Sequence, residues 1–107
     1  MESLTVTEQI YLIAIWHLQD NAYGVKIREK IIELTGKKMV FGTLYNNLDT
    51  LVKKGYVTAE KGNPTKNRGG NIRVFYSLTD EGKKALLESR ELQKTLWESI
   101  PENALEA

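Results

Sequence analysis

Val40-Phe41-Gly42-Thr43-Leu44-Tyr45-Asn46-Asn47-Leu48-Asp49-Thr50-Leu51-Val52-Lys53-Lys54-Gly55 is the stretch on which the fold turns. Leu44, Leu48, Leu51 and Val52 recur at helical spacing and make one apolar stripe. The opposite face carries Thr43, Tyr45, Asn46, Asn47, Thr50, Lys53 and Lys54, with Asp49 as its one acid. The two lysines fall in the last turn, where the negative end of the helix dipole favours them. Gly55 supplies the left-handed residue that ends a helix. A narrow apolar back and a polar, neutral-to-basic front suit the major groove of DNA, where amides and hydroxyls read base edges and lysines meet phosphates. Taken alone, the same pattern also describes a half-buried surface helix.

Working outward, the segment before it reads as a second helix from Gly24 to Thr35, ended by Gly36, with Val25, Ile27, Ile31 and Leu34 inward. Lys26, Arg28 and Lys30 stay outside, and Lys26, near the start of the helix, reads equally as a phosphate contact or as a merely solvated lysine. Helix, short link, then polar-fronted helix is the helix-turn-helix arrangement. Further back, Thr5-Val6-Thr7-Glu8 fits a capping box. The residues that follow, Ile10, Ile13, Ala14, Trp16, His17 and Leu18, are apolar around much of the circumference, which predicts burial on more than one side. Trp16 reads as core, and the single histidine, His17, as a core or interface residue.

Beyond Gly55 the period changes to alternation. Residues 56–61 read as a strand and 72–78 as its partner, with Ile72, Val74, Tyr76 and Leu78 on one face. The connection from Gly62 to Asn71 is rich in Gly and Asn and holds Lys66 and Arg68. With Lys61 and Arg73, these favour reading the ribbon as a wing beside the polar helix over an ordinary hairpin with a long tip. Thr79 caps a last helix, with Asp80 and Glu81 in its first turn. Leu86, Ser89, Gln93, Leu96 and Ile100 run along one side of it, flanked by Leu92 and Trp97, and Pro101 ends it. That stripe has no partner within the chain except the first helix. The expected cover is a second copy, making Ile10, Ile13, Leu86, Leu92, Leu96, Trp97 and Ile100 the dimer interface, the other reading being a helix folded back on its own domain.

Composition narrows the function classes. The chain has 107 residues, 41% of them hydrophobic, enough for one modest core. It lacks cysteine and has one histidine, so no thiolate site, disulfide or cysteine nucleophile exists, and no His-Glu-x-x-His or phosphate-binding glycine loop is present. No cofactor, metal site or catalytic residue is expected. The longest uncharged run, Gln9 to Gln19, is eleven residues, too short to span a bilayer. Met1-Glu2-Ser3-Leu4 has no basic region or cleavage pattern, so the expectation is a cytoplasmic protein without a signal peptide. Net charge is only +1, but residues 23–76 hold eleven bases against four acids, and both flanking segments are acidic. A basic middle is the footprint of a polyanion partner.

These residues resemble the PadR family of winged-helix transcriptional regulators over about Leu4 to Leu96. The resemblance is carried by Tyr23-Gly24, by Gly42-Thr43-Leu44-Tyr45-x-x-Leu48-x-x-Leu51-x-x-x-Gly55-Tyr56-Val57, and by Arg68-Gly69-Gly70-x-x-Arg73-x-x-Tyr76-x-Leu78-Thr79-x-x-Gly82. It implies a homodimer joined through the last helix, bound to inverted-repeat operators, usually as a repressor. It also implies that Tyr45 reaches the DNA backbone and that Arg68 and Arg73 serve the wing. Asn46-Asn47 stands where many members have Pro or Thr pairs, so base preference does not carry over. Phe41 stands where a serine cap is common, which leaves the N-cap of the third helix open. Some compact members bind flat hydrophobic or aromatic compounds between the subunits. Here Trp97, with Leu96 and Gln93, is the matching candidate pocket, and a tryptophan packed in the dimer seam is the other reading.

The expected architecture is mainly α with a small β-ribbon: a winged helix-turn-helix over residues 1–78, a dimerisation helix over 79–101 and a frayed tail over 102–107. The expected DNA contacts are Lys26, Thr43, Tyr45, Asn46, Asn47, Lys53, Lys54, Lys66, Arg68 and Arg73. The competing function is a winged-helix protein-interaction module, which predicts weak, sequence-indifferent DNA binding.

Overall fold

The computed structural model describes residues 3–62 and 72–106. The elements run α1 (Val6–Leu18), a single 3-10 turn (Gln19–Asn21), α2 (Gly24–Thr35), α3 (Phe41–Lys53), β1 (Val57–Lys61), β2 (Val74–Leu78) and α4 (Asp80–Glu98). Mostly helical with one two-stranded antiparallel sheet, this is the winged-helix arrangement.

Local chemistry sets most boundaries. At α1, the Thr5 hydroxyl accepts the Glu8 N–H and the Glu8 carboxylate accepts the Thr5 N–H, both halves of the capping box. Gly36 and Gly55 stand at φ 73° and 82°, the left-handed region that ends α2 and α3. Thr79 caps α4 by accepting the Gly82 N–H. It also donates from its hydroxyl to the Gly55 carbonyl at 2.6 Å, so the end of α3 and the start of α4 are tied at one residue. At α3 the N-cap is Val40, whose side chain caps nothing.

The core is built from Leu12 and Ile15 of α1, Ile27 and Ile31 of α2, and Leu44, Leu48 and Leu51 of α3. Val57 and Tyr76 bring the sheet into it. In the ribbon Val57 pairs with Leu78 and Lys61 with Val74. A two-stranded ribbon is marginal in water. Here the chain just before α2 lines its free edge: the Tyr76 N–H donates to the Ala22 carbonyl at 2.8 Å, and Tyr23 bridges Phe75. The close approach of α4 to the sheet is permitted by Gly82, where a Cβ would collide with the Tyr56 carbonyl.

Several expectations change. Trp16 is 54% exposed rather than core, and His17 is exposed beside it, edge-on at 5.0 Å. Val25 and Leu34 are exposed instead of inward. Val25 lies roughly 200° around the helix from Ile27, which holds the buried face, and Leu34 lies in the last turn. Ile72 is exposed and precedes β2 instead of joining its apolar face. After Pro101 the chain makes two turns, closed by Ala104 N–H to Pro101 and Glu106 N–H to Asn103, in the segment expected to fray. No helix among the described residues is long and apolar enough to cross a membrane.

Candidate nucleic-acid interface

The outer face of α3 is exposed at Thr43, Tyr45, Asn46, Thr50 and Lys53 because Leu44, Leu48 and Leu51 seat the opposite face fully in the core. The two asparagines divide. The Asn46 amide is exposed and has no hydrogen-bond partner among the described residues. The Asn47 amide is half-buried and donates to the Tyr11 hydroxyl at 3.1 Å. Thr50 bonds back to the Asn46 carbonyl, so its hydroxyl proton is used within the helix.

The lysines divide as well. Lys53 is exposed at the last turn. Lys54 turns back to Glu8 of α1, with Nζ 2.6 Å from the carboxylate. Burial raises the Glu8 carboxyl, but the bonds from Lys54 and Thr5 outweigh it and hold the group below its ordinary range. Glu8–Lys54 and Tyr11–Asn47 are thus two polar ties that fix α3 against α1. Both partners lie far away in sequence, and no local spacing announces them.

At the other end of α3, Tyr45 lies over the first turn of α2. A Cβ on Gly24 would collide with its hydroxyl, which is a physical reason for glycine after Tyr23. Tyr45 also stacks on Phe41 with centroids 6.3 Å apart. Arg28, which sequence spacing places outside with no role, sits 5.2 Å from the Phe41 ring centroid and donates from Nε to the Met39 carbonyl at 2.7 Å. It therefore fixes the link between α2 and α3.

On the wing side, the Arg73 guanidinium lies 4.4 Å over the Tyr23 ring. Lys26 is within 3.5 Å of Glu29, an exposed i,i+3 pair of little energy that leaves the ammonium available. Lys66 and Arg68 lie outside the described residues.

The face assigned to self-association is largely open. Leu92, Leu96, Trp97 and Ile100 of α4 are exposed, while Ile10, Ile13 and Leu86 are half-buried. The first turns of α1 and the middle of α4 meet through the side-chain amides of Gln9 and Gln93, which exchange hydrogen bonds of 2.7 and 3.3 Å. Beside that contact Ile13, Trp16, Leu78, Leu86 and Leu87 line a mostly apolar groove of about 510 Å³. Trp97 lies elsewhere, with Ile100 and Leu105 around a shallow hollow of about 220 Å³. Leu96 and Gln93 line neither of these two spaces.

An exposed polar helix on a helix-turn-helix, a two-stranded ribbon beside it and a last helix with exposed leucines define a winged-helix DNA-binding protein. The comparisons make this particular. The model of the "Transcriptional regulator PadR-like family" matches residues 13–88, and the chain belongs to that family. It is therefore a DNA-binding transcriptional regulator and not an enzyme. A transcriptional regulator from Clostridium thermocellum is 25% identical, with TM-score 0.72, over 94% of this chain and 89% of that one. A structure of hsRosR-S4 in a complex is 28% identical, with TM-score 0.67, over 97% and 77%. A PadR-like transcription factor from Bacteroides fragilis is 27% identical, with TM-score 0.68, over 85% and 84%. Among curated proteins no sequence matches.

Proposed function

We propose that the protein is a cytoplasmic homodimeric repressor that reads an inverted-repeat operator. Two copies of α3 enter successive major grooves about 34 Å apart. The observation that carries this reading is the exposed polar face of α3, where Asn46 and Thr43 project their hydrogen-bonding groups while Asn47 is tied to Tyr11 and Lys54 to Glu8. Asn46 pairs with an adenine edge, and Thr43 contacts a neighbouring base. Tyr45, Lys53 and Lys26 hold phosphates, and Arg73, with Lys66 and Arg68, follows the backbone.

Pairing covers Ile10, Ile13, Leu86, Leu92, Leu96, Trp97 and Ile100. The exposure of so much leucine and tryptophan on one helix supports a second copy as the cover. A small hydrophobic or aromatic effector acts between the subunits beside Trp97, Leu96 and Gln93, changing the angle between the two α3 helices by binding one arrangement better.

Selection from a random double-stranded pool tests the function. Recovery of an inverted repeat supports it. Recovery of no preferred sequence, with uniform weak binding, overturns it in favour of a protein-interaction module.

A further inference from the structure

The geometry points to an apolar reading head at the N-terminal tip of α3: Val40 and Phe41 lie against the C5-methyl group of a thymine, and Gly42 permits the approach. This rests on the reading of α3 as the helix that enters the major groove. Two features of the tip, Val40 and Gly42, have no explanation within the chain, and between them stands an apolar ring held in place. Val40 holds the N-cap, a position that favours Ser, Thr, Asp or Asn, yet its side chain caps nothing and is 71% exposed. Phe41 is 44% exposed, and its ring is held by Tyr45 at 6.3 Å and by Arg28 at 5.2 Å, itself anchored to Met39. Gly42 is helical, and a Cβ on it would meet nothing within 4 Å.

Glycine weakens a helix, and here neither φ nor packing calls for it. Something outside the chain that comes close to this turn would call for it. Local rules broken without internal gain are expected where function is served. The occupant follows from the surroundings. Exposed Lys37 and Lys38 precede the tip and Arg28 lies beside it, so the partner is a polyanion and not an apolar protein. The first residues of a recognition helix are the ones that meet base edges. The apolar feature on those edges is the thymine methyl group.

The probe is the tightest duplex recovered from the random pool, with each half-site thymine replaced in turn by deoxyuridine, which lacks only that methyl. One replacement is expected to weaken wild-type binding about fourfold per half-site, the worth of one buried methyl group. The variant V40S/F41A is expected to bind the thymine and deoxyuridine duplexes within about twofold of each other. Val40→Ser alone is expected to melt no lower than wild type, since serine restores a cap. Gly42→Ala is expected to keep its melting temperature and lose about tenfold in affinity, the scale of a lost base contact. If every thymine can be replaced without effect, or V40S/F41A keeps the discrimination, or Gly42→Ala binds like wild type, this inference fails while the operator reading stands. Absence of any preferred duplex overturns both.

Discussion

Lys54→Met is expected to destabilise the protein more than Glu8→Gln, although both remove the same ion pair. Lys54 Nζ lies 2.6 Å from Glu8 Oε2, and the side chains are 35% and 11% exposed. Removing Lys54 strands a nearly buried carboxylate whose other oxygen accepts the Thr5 N–H at 2.9 Å. A fully buried pair broken this way costs 3–5 kcal/mol; with the lysine end a third open to water, about 2 kcal/mol is the reasonable figure. Glu8→Gln keeps the acceptor for Thr5 and leaves no buried charge stranded, since the Lys54 end is a third open to water, for about 0.5–1 kcal/mol. The double variant should resemble Glu8→Gln alone, giving a coupling equal in size to the Lys54→Met cost, about 2 kcal/mol. Denaturant unfolding at pH 7 with unchanged slopes reads all four corners of the cycle.

Acid supplies an independent handle on the same pair. The Glu8 carboxyl is held below its ordinary value of 4.5, so its contribution is complete above that pH and disappears as pH falls through the lower folded value. The stability gap between wild type and Glu8→Gln should therefore close in acid. Equal costs for the two single variants, a larger cost for Glu8→Gln, or a gap that persists at low pH would refute the reasoning.

Gly82→Ala drives a Cβ into the Tyr56 carbonyl, a backbone atom that cannot swing aside. We expect a loss of about 2–3 kcal/mol, seen as a fall in melting temperature of about 10–15 °C. Gly24→Ala meets the mobile end of Tyr45, so its stability cost is smaller, about 1–2 kcal/mol. Because it displaces Tyr45, it should also weaken DNA binding in a titration at fixed salt. The variant L92D/L96D, on the exposed side of α4, should convert a dimer to a folded monomer by light scattering, with an unchanged circular dichroism spectrum. With about eight phosphates neutralised by the dimer, log affinity should fall against log salt with a slope near −7.

The parts of the molecule fixed by local chemistry are readable from sequence. The capping box at Thr5 and Glu8, the left-handed stops at Gly36 and Gly55 and the Thr79 cap each involve residues within three or four positions, and each holds in the structure. The apolar spacing of Leu44, Leu48 and Leu51 likewise gives the buried face of α3. What spacing cannot show is which polar residue finds a partner across the fold. Asn46 and Asn47 are adjacent and chemically identical, yet Tyr11, 36 residues earlier, captures only the second. Lys53 and Lys54 differ for the same reason, through Glu8, 46 residues earlier. Trp16 misleads in the opposite direction: its apolarity reads as core, but it lines an open groove with Leu86 and Leu87. Within one chain that groove is surface.

Hydroxyl-radical footprinting on the selected duplex tests the two-fold reading of α3 most directly. The account predicts two symmetric protected stretches centred about one helical turn apart, both lost in Asn46→Ala at the same protein concentration. A single unsymmetrical stretch, or uniform protection that Asn46→Ala leaves intact, would contradict it.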